Sequence, residues 1–523
     1  MVFFVIFSKN YSFIKVKQCY AISDLMHRKR IVFQRIALAL LLFLSACARR
    51  PVESPAALSR DPLNELRFQL DRILADPAFD NAFWGVAIQS MDTGQILYEQ
   101  NAGKLLMPAS NMKLITAVAS LKKLGSDFAY ETEIKVDGEI ENGTLHGNLI
   151  IAGTGDPTFS SRFGDGDSFR IFADWASRLK ETGITKISGN IIAVDDAFDE
   201  ERIGFGWSWD DLPYYYATET SALQFAENAI TVTLIAGQPG GPITIKKDPE
   251  SSYVTVMPDV RVESGLESPS VHWSYKPEMK TIYASGTLPA GGQDYGSFAI
   301  HNPAAYFASS LKDSLTQNGI KVEGESYRAR DRNYKPGEMV QLLFTHKSPP
   351  LREIVSVLLK VSQNLYAETL LKTLGKGSFA AGIEQVEATL IEMGIAPENF
   401  IVKDGSGLSR YNYVTAKGLL QLLEKIYRDP QFEVFYNSLA IAGVDGTLKS
   451  RMKGTPAENN IHAKTGSVSN VRSLSGYART RDGEMIAFVL IANNFSAPSE
   501  TAQYIQDVVA QQLVNFTRGG GSP

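Results

Sequence analysis

Three short stretches carry side chains that could do covalent chemistry. Ser110 and Lys113 lie three apart in MPASNMKLITAVASL. Ser362 and Asn364 lie two apart in VSQNLYAE, and Lys464, Thr465 and Gly466 are consecutive in HAKTGSVSN. A serine one helical turn from a lysine shares its face, and a lysine taken out of water loses enough basicity to accept a hydroxyl proton. Together they would be a nucleophile and its base, the parts of acyl transfer. Each stretch also has a plainer reading. The first could be a surface serine with a solvated lysine, and S-x-x-K recurs as SRLK, SSLK and SRMK. A hydroxyl and an amide two apart where helices meet can be a cap, and a lysine on an edge strand discourages unwanted pairing.

The elements around them decide between these readings. Pro108 and Ala109 suit a helix start, which puts Ser110 near the positive end of the helix dipole. The apolar run LITAVASL behind it would keep Lys113 partly dry. Ser362 and Asn364 fall in the break between the helices LREIVSVLLKVS and LYAETLLKTLGKG. Lys464 sits on the predicted strand NIHAKTGSV, where a lysine and a hydroxyl can bind a carboxylate. Gly466 would let a substrate backbone come close. His462, two before Lys464 on the same strand face, reads as structural.

Further out, LNELRFQLDRIL is an amphipathic helix with Leu63, Leu66, Leu70, Ile73 and Leu74 on one side. WGVAIQSM, QILYEQ, VRSLSGYART and EMIAFVLIANN read as strands, and SETAQYIQDVVAQQLVNF as a closing helix. Elements from both ends therefore make one α/β unit, interrupted by a long insertion. Within the insertion, 229–297 holds short strands split by Gly- and Pro-rich turns, an all-β pattern expected to form a module of its own.

The chain has 523 residues, 44% hydrophobic and 21% charged, with a net charge of −5. That is globular composition without the basic footprint of a nucleic-acid binder. Six scattered histidines, with neither H-E-x-x-H nor C-x-x-C, give no zinc signature. The two cysteines, Cys19 and Cys47, lie at the N-terminal end. The basic MHRKR and the short apolar RIALALLLFLSAC form a secretory signal, and point to Met26 as the translation start. LSAC looks like a bacterial lipobox, with Cys47 lipidated, and ARRPVESPAALSRDP behind it reads as a tether.

Taken in order, S-x-x-K, S-x-N and K-T-G resemble the set of penicillin-binding proteins and class A β-lactamases. Ser110 and Ser362 are 362 − 110 = 252 residues apart, a gap that resembles the D-alanyl-D-alanine carboxypeptidase/endopeptidase family (peptidase family S13, the class C low-molecular-mass penicillin-binding proteins). GTGDPTF, GWSWDDLPYYYATETSALQFAEN, KDGSGLSRYNYVT and AGVDGTL are similar to stretches of that family. Thr154 stands there for a glycine and Ser208 for a proline. Asp156-Pro157 and Asp404-Gly405 read as turns, and Trp207 and Trp209 as packing.

The resemblance implies an α/β multidomain fold. Its transpeptidase-like core is a five-stranded antiparallel sheet flanked by helices, with a β-rich insertion between S-x-x-K and S-x-N. The expected divisions are 1–47 (leader and lipobox), 48–62 (tether), 63–128 with 331–518 (catalytic), 129–228 with 298–330 (second domain) and 229–297 (third). It further implies that Ser110 attacks a D-Ala-D-Ala bond, with Lys113 as base and Ser362 relaying the proton. Lys464 tunes that network, Asn364 holds the substrate amide, and Lys464 and Thr465 bind the terminal carboxylate. The backbone N–H groups of Ser110 and Ser467 form the oxyanion hole; losing such a donor costs about 2.7–4 kcal/mol. No metal or cofactor is implied. The expected partners are peptidoglycan peptides and covalent β-lactams, with a lipid anchor to the envelope and no nucleic acid. Two alternatives stand beside this: a serine β-lactamase, although the chain lacks E-x-x-L-N, and a non-catalytic peptidoglycan-binding lipoprotein.

Overall fold

A computed structural model describes residues 61–519; the leader, Cys47 and most of the tether lie outside them. The central sheet is antiparallel, in the spatial order Ala440–Ile441, His462–Val468, Val471–Arg479, Met485–Asn493, Phe83–Ser90, Ile96–Gln100. The expected five strands are present, and a two-residue sixth extends the edge beside Lys464. All nine residues of Met485–Asn493 are buried, because each face of this central strand meets a helical layer. Its odd-numbered members, Met485, Ala487, Val489 and Ile491, join a core with helices Met112–Leu124, Leu351–Lys360, Asn364–Leu374, Phe379–Glu392 and Ala416–Tyr427. Its even-numbered members, Ile486, Phe488, Leu490 and Ala492, join a second core. There they meet Leu63, Leu66, Leu70 and Leu74 of helix Pro62–Leu74, and Ala502, Ile505, Val509 and Leu513 of helix Ser499–Asn515. Strand period two and helix period 3.6 together produce this three-layer sandwich. The two ends of the chain therefore share one core.

The insertion departs from expectation in two ways. Strand Val340–Lys347 pairs antiparallel with Glu131–Asp137, so the insertion's seven-stranded sheet runs past the boundary placed at 331. Glu131–Asp137 needs a partner along its open edge, and Val340–Lys347 supplies it. Residues 229–297 do form two three-stranded sheets, but they do not form a separate core. Ile230, Val232, Val262 and Ile282 from those sheets pack in one apolar cluster with Ile134, Phe172, Phe225 and Phe307.

Candidate active site

The serine stretch is built by close approach. Ser110 lies in a single 3-10 turn, Ala109–Asn111, that leads into helix Met112–Leu124. Ala109 is left-handed, at φ +47°. Asn493 clamps the preceding chain, accepting from Met107 N–H at 2.8 Å and donating to Met107 O at 3.0 Å. Asn111 Nδ2 donates to Lys464 O at 3.0 Å, and Ser473 Oγ donates to Pro108 O at 2.7 Å, which ties the turn to the Lys464 strand and to its neighbour Val471–Arg479. A Cβ on Gly466 would meet Ser473 Oγ at 2.1 Å and Pro108 O at 2.8 Å. The expectation for Gly466 was room for substrate; that room is filled by the serine turn itself. Gly407, at φ +85°, is needed in the same way, since a Cβ there would lie 1.9 Å from Ala109 O.

Lys113 is fully buried. Its Nζ donates to Ser110 Oγ at 3.0 Å, Asn364 Oδ1 at 2.5 Å and Ser406 O at 2.7 Å. Three acceptors use the whole donor set of an ammonium group. Burial pulls the Lys113 amine down to about 7, opposed by the charges of Asp404 and Glu368. Lys464 is buried too, with Nζ donating to Ser362 Oγ and Thr465 O, both at 2.7 Å. Burial, and then the positive charge of Lys113, holds Lys464 well below the ordinary lysine range. With the two amines so close, full charge on both is unfavourable. Lys464, for which no acidic neighbour among the described residues opposes the effect of burial, would gain a counter-charge from an incoming carboxylate.

Ser110, Ser362, Asn364, Thr465 and Ser467 line one cleft of about 650 Å³, and the buried Lys113 and Lys464 reach it through Ser110 and Ser362. The insertion contributes the facing wall, including Asp211, Tyr216 and Glu227. Ser362 sits in the interhelical break at φ +64°. The cap of helix Asn364–Leu374 is Gln363, whose side chain accepts from Leu365 N–H. Asn364 uses both ends of its amide on the protein: Oδ1 takes the Lys113 proton and Nδ2 donates to Tyr216 O at 2.7 Å. One N–H and one lone pair remain for a substrate amide. Thr465 Oγ1 donates to Thr447 Oγ1 at 2.8 Å, and this hydroxyl must turn from that partner before it can donate to a carboxylate.

Sequence reading missed the acidic floor. Glu368 and Asp404 are both fully buried. Glu368 accepts from Gly405 N–H and Ser406 N–H, and burial pushes its carboxyl up, with Asp404 adding to the effect. Glu368 is four residues after Asn364, one helical turn on, so the spacing was available as a signal. Asp404 does form a turn, accepting from Gly407 N–H at 2.7 Å and Ser409 N–H at 2.6 Å. Trp207 Nε1 donates to that same carboxylate at 2.9 Å. Trp209 was read as packing, yet it stands 83% exposed, because its loop has no further layer above it. His462 stacks on Tyr436 at 4.0 Å between ring centroids.

A scan against family models matches residues 66–515 to the D-Ala-D-Ala carboxypeptidase 3 (S13) family. The chain belongs to that family. A D-alanyl-D-alanine carboxypeptidase of Actinomadura sp. (strain R39) is 33% identical over 480 residues, covering 87% of this chain and 85% of that one. The crystal structure of penicillin binding protein 4 from Haemophilus influenzae superposes with a TM-score of 0.72 at 29% identity, over 84% of this chain and 98% of that one. The same H. influenzae protein complexed with a novel β-lactam gives 0.67 at 28% identity, over 84% and 97%. The fold is that of the penicillin-binding proteins, with the family's β-rich insertion between the first two motifs.

Proposed function

We propose that this S13 protein is a serine-type D-Ala-D-Ala carboxypeptidase, with DD-endopeptidase action on peptidoglycan cross-links, working through an acyl-enzyme on Ser110. The observation that carries the reading is the buried Lys113 amine, 3.0 Å from Ser110 Oγ and drawn down to about 7. At pH 7 about half of such an amine is free base, against roughly one in three thousand for an unperturbed lysine.

Ser110 Oγ attacks the scissile carbonyl as Lys113 takes its proton, and the backbone N–H groups of Ser110 and Ser467 hold the oxyanion. The C–N bond then breaks. Ser362 relays the proton taken by Lys113 to the departing D-alanine nitrogen, and Lys464 Nζ, 2.7 Å from Ser362 Oγ, tunes that relay. Thr465 and Lys464 bind the terminal carboxylate, which favours substrates with a free C-terminus. Water attacks the ester as Lys113 takes its proton, and Lys113 returns that proton to Ser110 Oγ as the shortened peptide leaves. A β-lactam enters the same path, but its leaving nitrogen stays tethered after the ring opens, so the ester is slow to hydrolyse. The β-lactam complex of the H. influenzae relative supports β-lactam binding at this cleft.

The leader and Cys47 support an envelope location with a lipid anchor. Ala48 after Cys47, with no aspartate there, favours the periplasmic face of the outer membrane in a Gram-negative cell. One experiment tests both parts: cell fractions carrying the parent, Ser110→Ala or Cys47→Ser protein, labelled with fluorescent penicillin and assayed on muropeptides. Ser110→Ala is expected to lose label and D-alanine release, and Cys47→Ser to move active protein to the soluble fraction. D-alanine release by Ser110→Ala would overturn the catalytic reading, and unchanged fractionation of Cys47→Ser would overturn the anchor.

A further inference from the structure

Left-handed backbone outside glycine is uncommon and costly, and it persists only where the surroundings hold it. Two such places meet at the cleft. Ser362 has φ +64°, and Ala226, Glu227 and Asn228 of the insertion run at φ +49°, +57° and +53°. The insertion turn is tied from behind, with Ala226 N–H donating to Phe159 O at 2.7 Å and Asn228 Nδ2 donating to Glu219 O at 2.8 Å. It projects Glu227 onto the residue after Ser362. Gln363 Nε2 donates to Glu227 Oε2 at 2.6 Å, and Arg162 Nε donates to Glu227 Oε1 at 2.5 Å. The other end of Gln363 accepts from Leu365 N–H at 3.1 Å, so its side chain is fixed at both ends.

We infer that the chain Arg162–Glu227–Gln363 is the device by which the insertion holds Ser362 in register with Lys464, making Glu227 and Gln363 positioning residues for acylation. This rests on the reading of Ser362 as proton relay. An exposed ion pair is worth little by itself, but the Glu227 side chain is only 16% exposed and its target is a strained loop. Ser362 Oγ lies 2.7 Å from Lys464 Nζ. A shift of about 1 Å in a reacting group can cost as much as a hundredfold in rate. The insertion also reaches the neighbouring residue, through Tyr216 O and Asn364. Its contact with the S-x-N loop is therefore two-pronged.

The test uses the full chain with Gln363→Glu, Glu227→Gln, the two combined, and Glu227→Ala. Each is read for the rate of labelling by fluorescent penicillin, for kcat and KM on a D-Ala-D-Ala peptide, and for thermal unfolding. Gln363→Glu sets two carboxylates against each other and is expected to slow labelling about tenfold, in kcat with KM little changed. The combined variant exchanges donor and acceptor across the contact and still leaves an oxygen for Arg162. It is expected to recover the rate to within about threefold of the parent. A parent-like rate for Gln363→Glu, or no recovery in the combined variant at an unchanged unfolding temperature, overturns the inference. If Gln363→Glu fails to fold, Glu227→Ala decides, since it removes the acceptor without adding charge: slowed labelling supports the inference and a parent-like rate overturns it. A parent-like labelling rate for Ser362→Ala would instead break the underlying reading of Ser362, so the two failures are distinguishable.

Discussion

Lys113 shows how a residue's chemistry is set by what surrounds it. Its amine is pulled down to about 7 by burial, while Asp404 and Glu368 push the other way. Because the free base is the active form, acylation should rise with pH and level off above about 7, falling tenfold per unit on the acid side. Penicillin labelling rates from pH 5 to 9 check this; an acid limb near the ordinary lysine range would contradict it. Ser110, Lys113, Ser362, Asn364 and Lys464 were legible because three motifs in one order are far more specific than any one of them. Glu368 was not. A glutamate on an apolar helix announces nothing until the Gly405 and Ser406 N–H groups are seen to point at it. Gly466 was legible as a place of close approach, and the tertiary structure shows which groups of the chain itself come close. Its missing side chain admits Pro108 and Ser110 of the same chain.

Among the elements, the turn after Lys403 does more than connect. Asp404 is its hub: besides Gly407 and Ser409 N–H and the Trp207 indole, Asn412 Nδ2 donates to it at 2.7 Å. The turn delivers Ser406 O to Lys113. Asp404→Ala would leave several buried donors unsatisfied, each worth about 1–3 kcal/mol. Stability should fall by about 3 kcal/mol or more, measured as the midpoint of urea unfolding. Since the Asp404 charge raises the Lys113 amine, the acid limb of the surviving activity should also move to lower pH. The helices and core strands were readable because their periodicities are local. Strand Val340–Lys347 was missed because its partner, Glu131–Asp137, lies about 200 residues upstream, and nothing local marks such a pairing.

For the molecule as a whole, the insertion is an integral part of the fold rather than an ornament. Ile230, Val232, Val262 and Ile282 pack in the same cluster as Phe172, Phe225, Tyr306 and Phe307, so residues 229–297 cannot be lifted out cleanly. Replacing 229–297 by a short Gly-Ser linker should expose that cluster and abolish soluble, cooperatively unfolding protein, as read by circular dichroism and thermal unfolding. A folded, soluble deletion variant would count against a shared core. Motif order, helix and strand periods and turn residues are local patterns of residue type, and the family and its chemistry could be read from them. Which lysine is dry, what opposes its loss of charge, and which insertion residues grip the Ser362 loop were decided only by the tertiary structure. Burial and electrostatics arise from contacts between residues far apart in the chain: Lys113 with Ser406, Lys464 with Ser362, Glu227 with Gln363.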